Sequence, residues 1–250
     1  MKSKDWDRIS KDYYSEVISP IKNTVGKNLL LKRIKYHSSK KKVVGDLGCG
    51  IGPLLERLSK QYKEVHAVDY SKGMIEQAKK NKGKNITYHI KNLTDLNILK
   101  NKLDVAIAVN SILSKDVKKI NIIIPQIYNT LKKDGVFIGV LPAMEAYVYQ
   151  AMLKMDEQLL KHPNQKQAIS NVHKLIKSEK FDFLQGTASF GGDRQKTFYR
   201  FEILYRFKNA GFKNIKISKI YYDWKEWEIA GQLYFPKEKP PWDWFVECRK

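Results

Sequence analysis

Two carboxylates bracket a run of glycines early in this chain. Asp46 precedes Gly48, Gly50 and Gly52 in the stretch VVGDLGCGIGPLLERL, residues 43–58, and Asp69 lies 23 positions beyond Asp46, at the end of VHAVD. Alternating glycines between an apolar run and a helical pattern mark a strand-to-helix turn whose backbone something approaches closely. A phosphate loop of the nucleotide triphosphate hydrolases needs G-x-x-x-x-G-K-[ST], and no Lys-Ser or Lys-Thr follows these glycines. A dinucleotide site needs G-x-G-x-x-G, and the sixth position here is Pro53. An acid before the turn repels a pyrophosphate and suits a cation. An acid at the end of the next strand can accept hydrogen bonds from both hydroxyls of a ribose. Together the two acids describe an amine-bearing nucleoside without phosphate.

Such residues need a frame that sets strand ends side by side. Residues 1–40 read as helices, with Ile21, Val25, Leu29 and Ile34 at roughly helical spacing. Residues 43–47 are a short apolar strand, and Pro53 falls where the first turn of a helix tolerates it. Leu54, Leu55, Leu58 and Tyr62 make that helix's inner face. Residues 65–69 form a second strand, Met74, Ile75 and Ala78 mark a helix, and Ile86, Tyr88 and Ile90 alternate as a third strand. Residues 105–109 are a fourth strand. Ile120, Ile123, Ile124, Ile127, Tyr128 and Leu131 form a helical stripe, which Lys132, Lys133, Asp134 and Gly135 are expected to close. Residues 136–141 are a fifth strand. Alternating elements with fully apolar inner strands imply an α/β fold with a doubly wound, mostly parallel sheet.

The pattern changes after Pro142. Two helical stretches, around Met144 to Leu159 and Ile169 to Ile176, precede extended chain from Phe181 to Tyr199 around a Gly191-Gly192 turn. A helix near 201–209, a strand near 212–222 and a last strand from WDWFVECRK follow. The expected organisation is one domain over 1–250: N-terminal helices (1–40), a cofactor-binding core (41–142), a lid insertion (143–197), and a C-terminal helix with strands (198–250).

The blocks VVGDLGCGIG, VHAVDYSKGMIEQAKK, NITYHIKNLTDL, LDVAIAVNSIL and IYNTLKKDGVFIGVL resemble, in order and spacing, the motifs of class I S-adenosylmethionine-dependent methyltransferases, over roughly residues 40–142. The resemblance implies a seven-stranded Rossmann-like sheet, S-adenosylmethionine as cofactor and S-adenosylhomocysteine as product. It also implies residue roles. Asp46 and the backbone of Gly48 face the methionine end, while Cys49, Gly50 and Gly52 shape the tight turn. Asp69 takes the ribose hydroxyls, and Tyr70 and Met74 flank the adenine. Asn92 and Leu93 lie where the adenine edge is read; Asn replaces the family's frequent Asp there and still offers a carbonyl acceptor. Asn110 falls at the edge of the methyl-transfer site, and Tyr14 is placed to close over the cofactor. For the acceptor, Arg194, Tyr199 and Arg200 of GGDRQKTFYR are the candidates. No catalytic residue is assigned, because methyl transfer from a sulfonium mainly requires alignment.

Composition bounds the rest. The formal charge is +21, but only seven of the 47 basic residues are arginine, which favours a solvated lysine surface over a dedicated phosphate reader. Two cysteines, Cys49 and Cys248, give neither a disulfide framework nor metal spacing, and the five histidines show no metal-ligand spacing, so no metal is expected. No apolar run is long enough to span a membrane, no secretory signal is read at the start, and a reducing cytoplasm is the natural setting. After the fourth strand the chain reads Asn110-Ser111-Ile112-Leu113, without the [ND]-P-P-[YFW] of base-amine methylation. A catalytic cysteine for base C5 methylation is also missing near that strand. The expected acceptor is therefore a small molecule or a protein side chain. The alternatives are an RNA methyltransferase using the lysine-rich surface and a non-catalytic S-adenosylmethionine-binding protein; the oligomeric state is open.

Overall fold

The computed structural model describes residues 6–8, 10, 20–21, 28–81, 83–162, 164–178, 181–190, 193–224 and 238–250. Tyr14, Val25, Gly191, Gly192 and Trp227 lie outside the described residues. The core elements run α1 (Leu29–His37), β1 (Val43–Leu47), α2 (Leu55–Gln61), β2 (Glu64–Asp69), α3 (Lys72–Ala78), β3 (Ile86–Ile90), β4 (Leu103–Val109), α4 (Val117–Thr130) and β5 (Leu131–Pro142). Then follow α5 (Met144–Lys161), α6 (Gln165–Ser178), β6 (Thr187–Phe190), β7 (Asp193–Lys196), α7 (Arg200–Asn209), β8 (Lys213–Tyr221) and β9 (Trp242–Arg249).

One seven-stranded sheet has the order β3-β2-β1-β4-β5-β9-β8. Strands β1 to β5 pair in parallel, and β9 runs antiparallel to both β5 and β8. Helices cover both faces, so the inner strands are apolar on both sides. Val105 and Ile107 of β4 pack with Leu30, Leu55, Leu58 and Ile75 on one face. Ala106 and Ala108 pack with Ile120, Ile124, Ile203 and Phe207 on the other. Cys49 belongs to the first of these clusters and Trp242 and Trp244 to the second.

The sheet begins its fifth strand earlier than periodicity suggests. Lys132 to Gly135 do not close α4; they open β5, and Leu131 already pairs with Leu103. Helix α4 stops because its last carbonyls are captured from outside: Asn101 N–H donates to Asn129 O at 2.8 Å and Lys102 N–H to Thr130 O at 2.9 Å. Asp134, with φ 62°, takes the left-handed conformation expected of Gly135. Gly135 is needed for space, since a Cβ there would lie 2.9 Å from the Lys132 carbonyl oxygen.

The chain between β5 and α7 leaves and returns at one point. Ala143 bridges Phe198, Phe198 N–H donates to Pro142 O at 2.7 Å, and Met144 N–H donates to Phe198 O at 3.0 Å. The hairpin β6–β7 is tied to the core by Lys196, whose N–H donates to Leu113 O at 3.0 Å. The Lys196 side chain is fully buried and pairs with Glu202 of α7 at 2.9 Å, with Gln185 O as a further acceptor. Burial lowers the Lys196 pKa, and the Glu202 carboxylate opposes that shift.

Candidate functional site

In an open parallel sheet, ligands bind outside the carboxyl ends of the strands where strand order reverses. That point lies between β1 and β4. A cavity of about 740 Å³ opens there, within the size range of pockets that enclose small ligands. Its wall includes Gly48, Gly50, Asp69, Tyr70, Met74, Asn92, Leu93 and Asn110, residues assigned to the cofactor from the sequence.

The glycine turn is built as much against its own chain as for a visitor. Gly48, Gly50 and Gly52 have φ of 82°, 54° and 81°, in the region that favours glycine. A Cβ on Gly48 would sit 2.2 Å from Ser111 Cβ, because Ser111 Oγ donates to Leu47 O at 2.6 Å and pins the loop after β4 against the turn. A Cβ on Gly52 would meet Leu55 Cδ1 at 2.6 Å and Asn81 Nδ2 at 2.7 Å. Gly48 and Gly50 line the cavity, whereas Gly52 and the core-buried Cys49 do not.

Asp69 joins the turn to the second strand. Its Oδ2 accepts from Gly50 N–H and its Oδ1 from Ser71 N–H, both at 2.9 Å. Asp69 also lines the cavity, where its remaining acceptor capacity would face a ribose hydroxyl. Burial raises the Asp69 pKa while the N–H donors of Ser71, Gly50 and Tyr70 hold it down. Asp46 is buried beneath, off the cavity wall. Burial, with the charge of Asp69 second, raises its pKa to about 7. A cation entering beside these carboxylates favours their ionised forms.

The Asp46 shift carries a stability prediction with a definite sign. An unfolded Asp titrates near pH ~4, so between about pH 4 and 7 the folded chain holds a proton that the unfolded chain has lost. Stability therefore falls as pH rises through that window. Asp46→Asn removes the titration, and the variant's thermal midpoint relative to the natural chain should rise between pH 5 and pH 7.5. A difference that stays constant over that range rejects the assignment.

Beside Asp69, Tyr70, Met74 and Leu93 line the cavity. Asn92 Oδ1 accepts from both the N–H and the hydroxyl of Thr94 at 3.0 Å, which engages its carbonyl locally. Asn110, also on the wall, is in a left-handed conformation with φ 45°. Its Nδ2 donates at 2.9 Å to Asp243 Oδ2, which also accepts from the Tyr222 hydroxyl. Burial raises the Asp243 pKa to about 6, so at neutral pH it is mainly an acceptor and fixes which way the Asn110 amide points. The buried Asn110 Oδ1 has no hydrogen-bond partner among the described residues.

The hairpin β6–β7 reaches the cavity through Gln195. Its neighbour Arg194 pairs with Asp182 at 3.6 Å instead, since successive residues of a strand face opposite ways. Tyr199 donates its hydroxyl to Phe183 O at 2.9 Å and stacks on Phe201, and Arg200 is exposed at the start of α7. None of these three candidates lines the cavity. Ser111, Leu113, Gln195 and Trp6 do, and no spacing rule singled them out. Lys91, Lys115 and Lys119 add basic groups to the wall. His66 Nδ1 and His89 Nε2 lie 3.1 Å apart across β2 and β3, a pairing invisible as sequence spacing. Among the described residues no cluster of three or more His, Cys, Asp or Glu could hold a metal.

Strand order and the switch-point cavity beside an acid-flanked glycine turn are those of the Rossmann-like fold of S-adenosylmethionine-dependent methyltransferases. Residues 44–135, which span the turn, Asp69 and β4, match the model of the methyltransferase domain family. An S-adenosylmethionine-dependent methyltransferase from Methanosarcina mazei superposes with a TM-score of 0.58 at 17% identity, over 87% of this chain and 96% of that one. DhpI, in a complex designated DhpI-SAM-HEP, gives 0.63 at 12% identity, over 99% and 95%. The Haloferax volcanii protein bound to the Trm112 methyltransferase activator gives 0.61 at 13% identity, over 98% and 96%. No curated protein matches the chain significantly by sequence.

Proposed function

We propose that this chain transfers the methyl group of S-adenosylmethionine to a nucleophilic atom of a small molecule or an exposed protein side chain. One observation carries the reading: Asp69, Tyr70, Asn110 and Gln195 line one cavity, which would give one space for a nucleoside and for an acceptor beside it. Bound S-adenosylmethionine supplies an activated, electrophilic methyl group. The chain's task is to hold two partners in line and to keep water out. In this reading Asp69 receives the ribose hydroxyls, Gly48 and Gly50 let the ligand approach the backbone, and Tyr70, Met74 and Leu93 enclose the base. Asn110, oriented by Asp243, forms the cavity wall beside Ser111. Gln195 marks the acceptor's side of the cavity.

A thermal-shift panel tests the cofactor half. S-Adenosylmethionine and S-adenosylhomocysteine at about one hundred times their dissociation constants should stabilise the fold by about 2.7 kcal/mol, with NAD and ATP giving no comparable shift. Equal shifts from NAD or ATP reject the reading. Radiolabelled methyl transfer to a panel of amines, thiols, hydroxyls, peptides and RNA tests the acceptor half. Lys91, Lys115 and Lys119 on the wall are the observation that keeps an RNA acceptor in that panel; it requires binding that weakens steeply with salt. Cofactor binding with no transfer to any acceptor would favour a non-catalytic binder.

A further inference from the structure

We propose that Trp6 is a wall of the cofactor's base pocket, latched there by Asp7. This rests on the reading of the cavity as a nucleoside site. Trp6 lines the cavity together with Tyr70 and Met74, although more than sixty residues of chain separate them. What brings it there is the next residue. Asp7 Oδ1 accepts from the Ser71 hydroxyl at 2.6 Å and from Gly73 N–H at 2.8 Å, at the first turn of α3. Ser71 is itself the N-cap of that helix, accepting from Met74 N–H at 3.0 Å while donating to Asp7. The segment is closed on itself as Ser10 Oγ donates to Asp7 O at 2.8 Å.

Gly73 makes the contact close. A Cβ there would lie 3.1 Å from both Asp7 Cα and Asp7 Oδ1 and 3.2 Å from Ser10 Oγ. A helix position that ordinarily prefers alanine thus carries glycine where the N-terminal segment seats. Because the latch grips the turn between Tyr70 and Met74, it holds the neighbouring indole to the cavity wall that those two residues share. An indole offers a large π face to a purine, and that contact needs no particular hydrogen-bond pattern.

The test uses the full chain, with S-adenosylhomocysteine and adenosine as probes. Trp6→Ala should weaken both roughly tenfold in calorimetry, while Trp6→Phe stays within about threefold of the natural chain. The fluorescence difference between the natural chain and Trp6→Phe should fall when S-adenosylhomocysteine is added. Asp7→Ala should weaken binding in the same direction and red-shift that difference emission before ligand is added. Asp7→Asn keeps an acceptor oxygen and should restore most of both. Gly73→Ala should hold or raise the thermal midpoint yet weaken binding. The proposal is overturned if Trp6→Ala binds like the natural chain while Asp69→Ala does not, since the nucleoside site then stands without Trp6. If the natural chain binds neither probe, the reading of the site falls and the latch with it.

Discussion

Asp69→Ala is expected to raise the dissociation constant for S-adenosylhomocysteine by about 30- to 160-fold, which is about 2–3 kcal/mol. The size follows from what Asp69 does on both sides. Towards the ligand, Asp69 lines the cavity and, in the proposed reading, would accept from a ribose diol. Towards the protein, it takes the N–H groups of Gly50 and Ser71. Alanine leaves both donors without that partner and slackens the turn around the ligand. Hydrogen bonds to a charged group are worth about 1.5–3 kcal/mol each, and the two roles overlap rather than add. Asp69→Asn should fall between, keeping one acceptor and setting an NH2 against the other donor. Isothermal calorimetry decides it. An affinity within threefold of the natural chain for Asp69→Ala would reduce Asp69 to a loop brace and remove the ribose assignment.

Gly48→Ala is expected to lower the stability of the fold by about 2–5 kcal/mol. Left-handed backbone costs an alanine about 1–2 kcal/mol, and Gly48 has φ 82°. Overlap with Ser111 Cβ at 2.2 Å adds the ~1–3 kcal/mol typical of overpacking, because the bond from Ser111 to Leu47 O prevents easy retreat. At about 2–4 °C per kcal/mol for a chain of this size, the thermal midpoint should drop by roughly 4–20 °C. Adding Ser111→Gly should recover the overlap part and leave the backbone part. A double variant no more stable than Gly48→Ala alone would show that the clash with Ser111 is not what requires glycine at this position.

Electrostatics qualify the chain's strongly basic composition. A net charge of +21 describes the whole surface. Against it, two carboxylates are buried near the glycine turn, Asp69 on the cavity wall and Asp46 behind it. Exposed lysines are screened by salt, whereas a buried carboxylate is screened much less.

Much of the architecture was legible because its signals are local. Apolar runs of four to seven residues located β1, β2 and β4, and period-two alternation located β3. The stripe from Ile120 to Leu131 located α4 but not its end, because the amides of Asn101 and Lys102 that stop the helix come from another loop. Asp69 could be named from the sequence because it is the last residue of an apolar strand, and in a parallel sheet strand ends converge. Asp46 could be named the same way, although the fold then sank it beneath the cavity wall.

The amino-acid sequence by itself determined the order of elements, the sides of each that face inward and the acids at two strand ends, since each depends on neighbours a few positions apart. Tertiary structure alone decided which side chains meet. Ser111 against Gly48, Asp7 on Ser71 and Asp243 on Asn110 join residues 63, 64 and 133 positions apart. Gln195 rather than Arg194 reaches the cavity because the hairpin's seat on Lys196 sets which face turns inward. A string of residue types carries no such distances. They arise when the sheet's change of direction between β1 and β4 draws remote loops to one end of the strands.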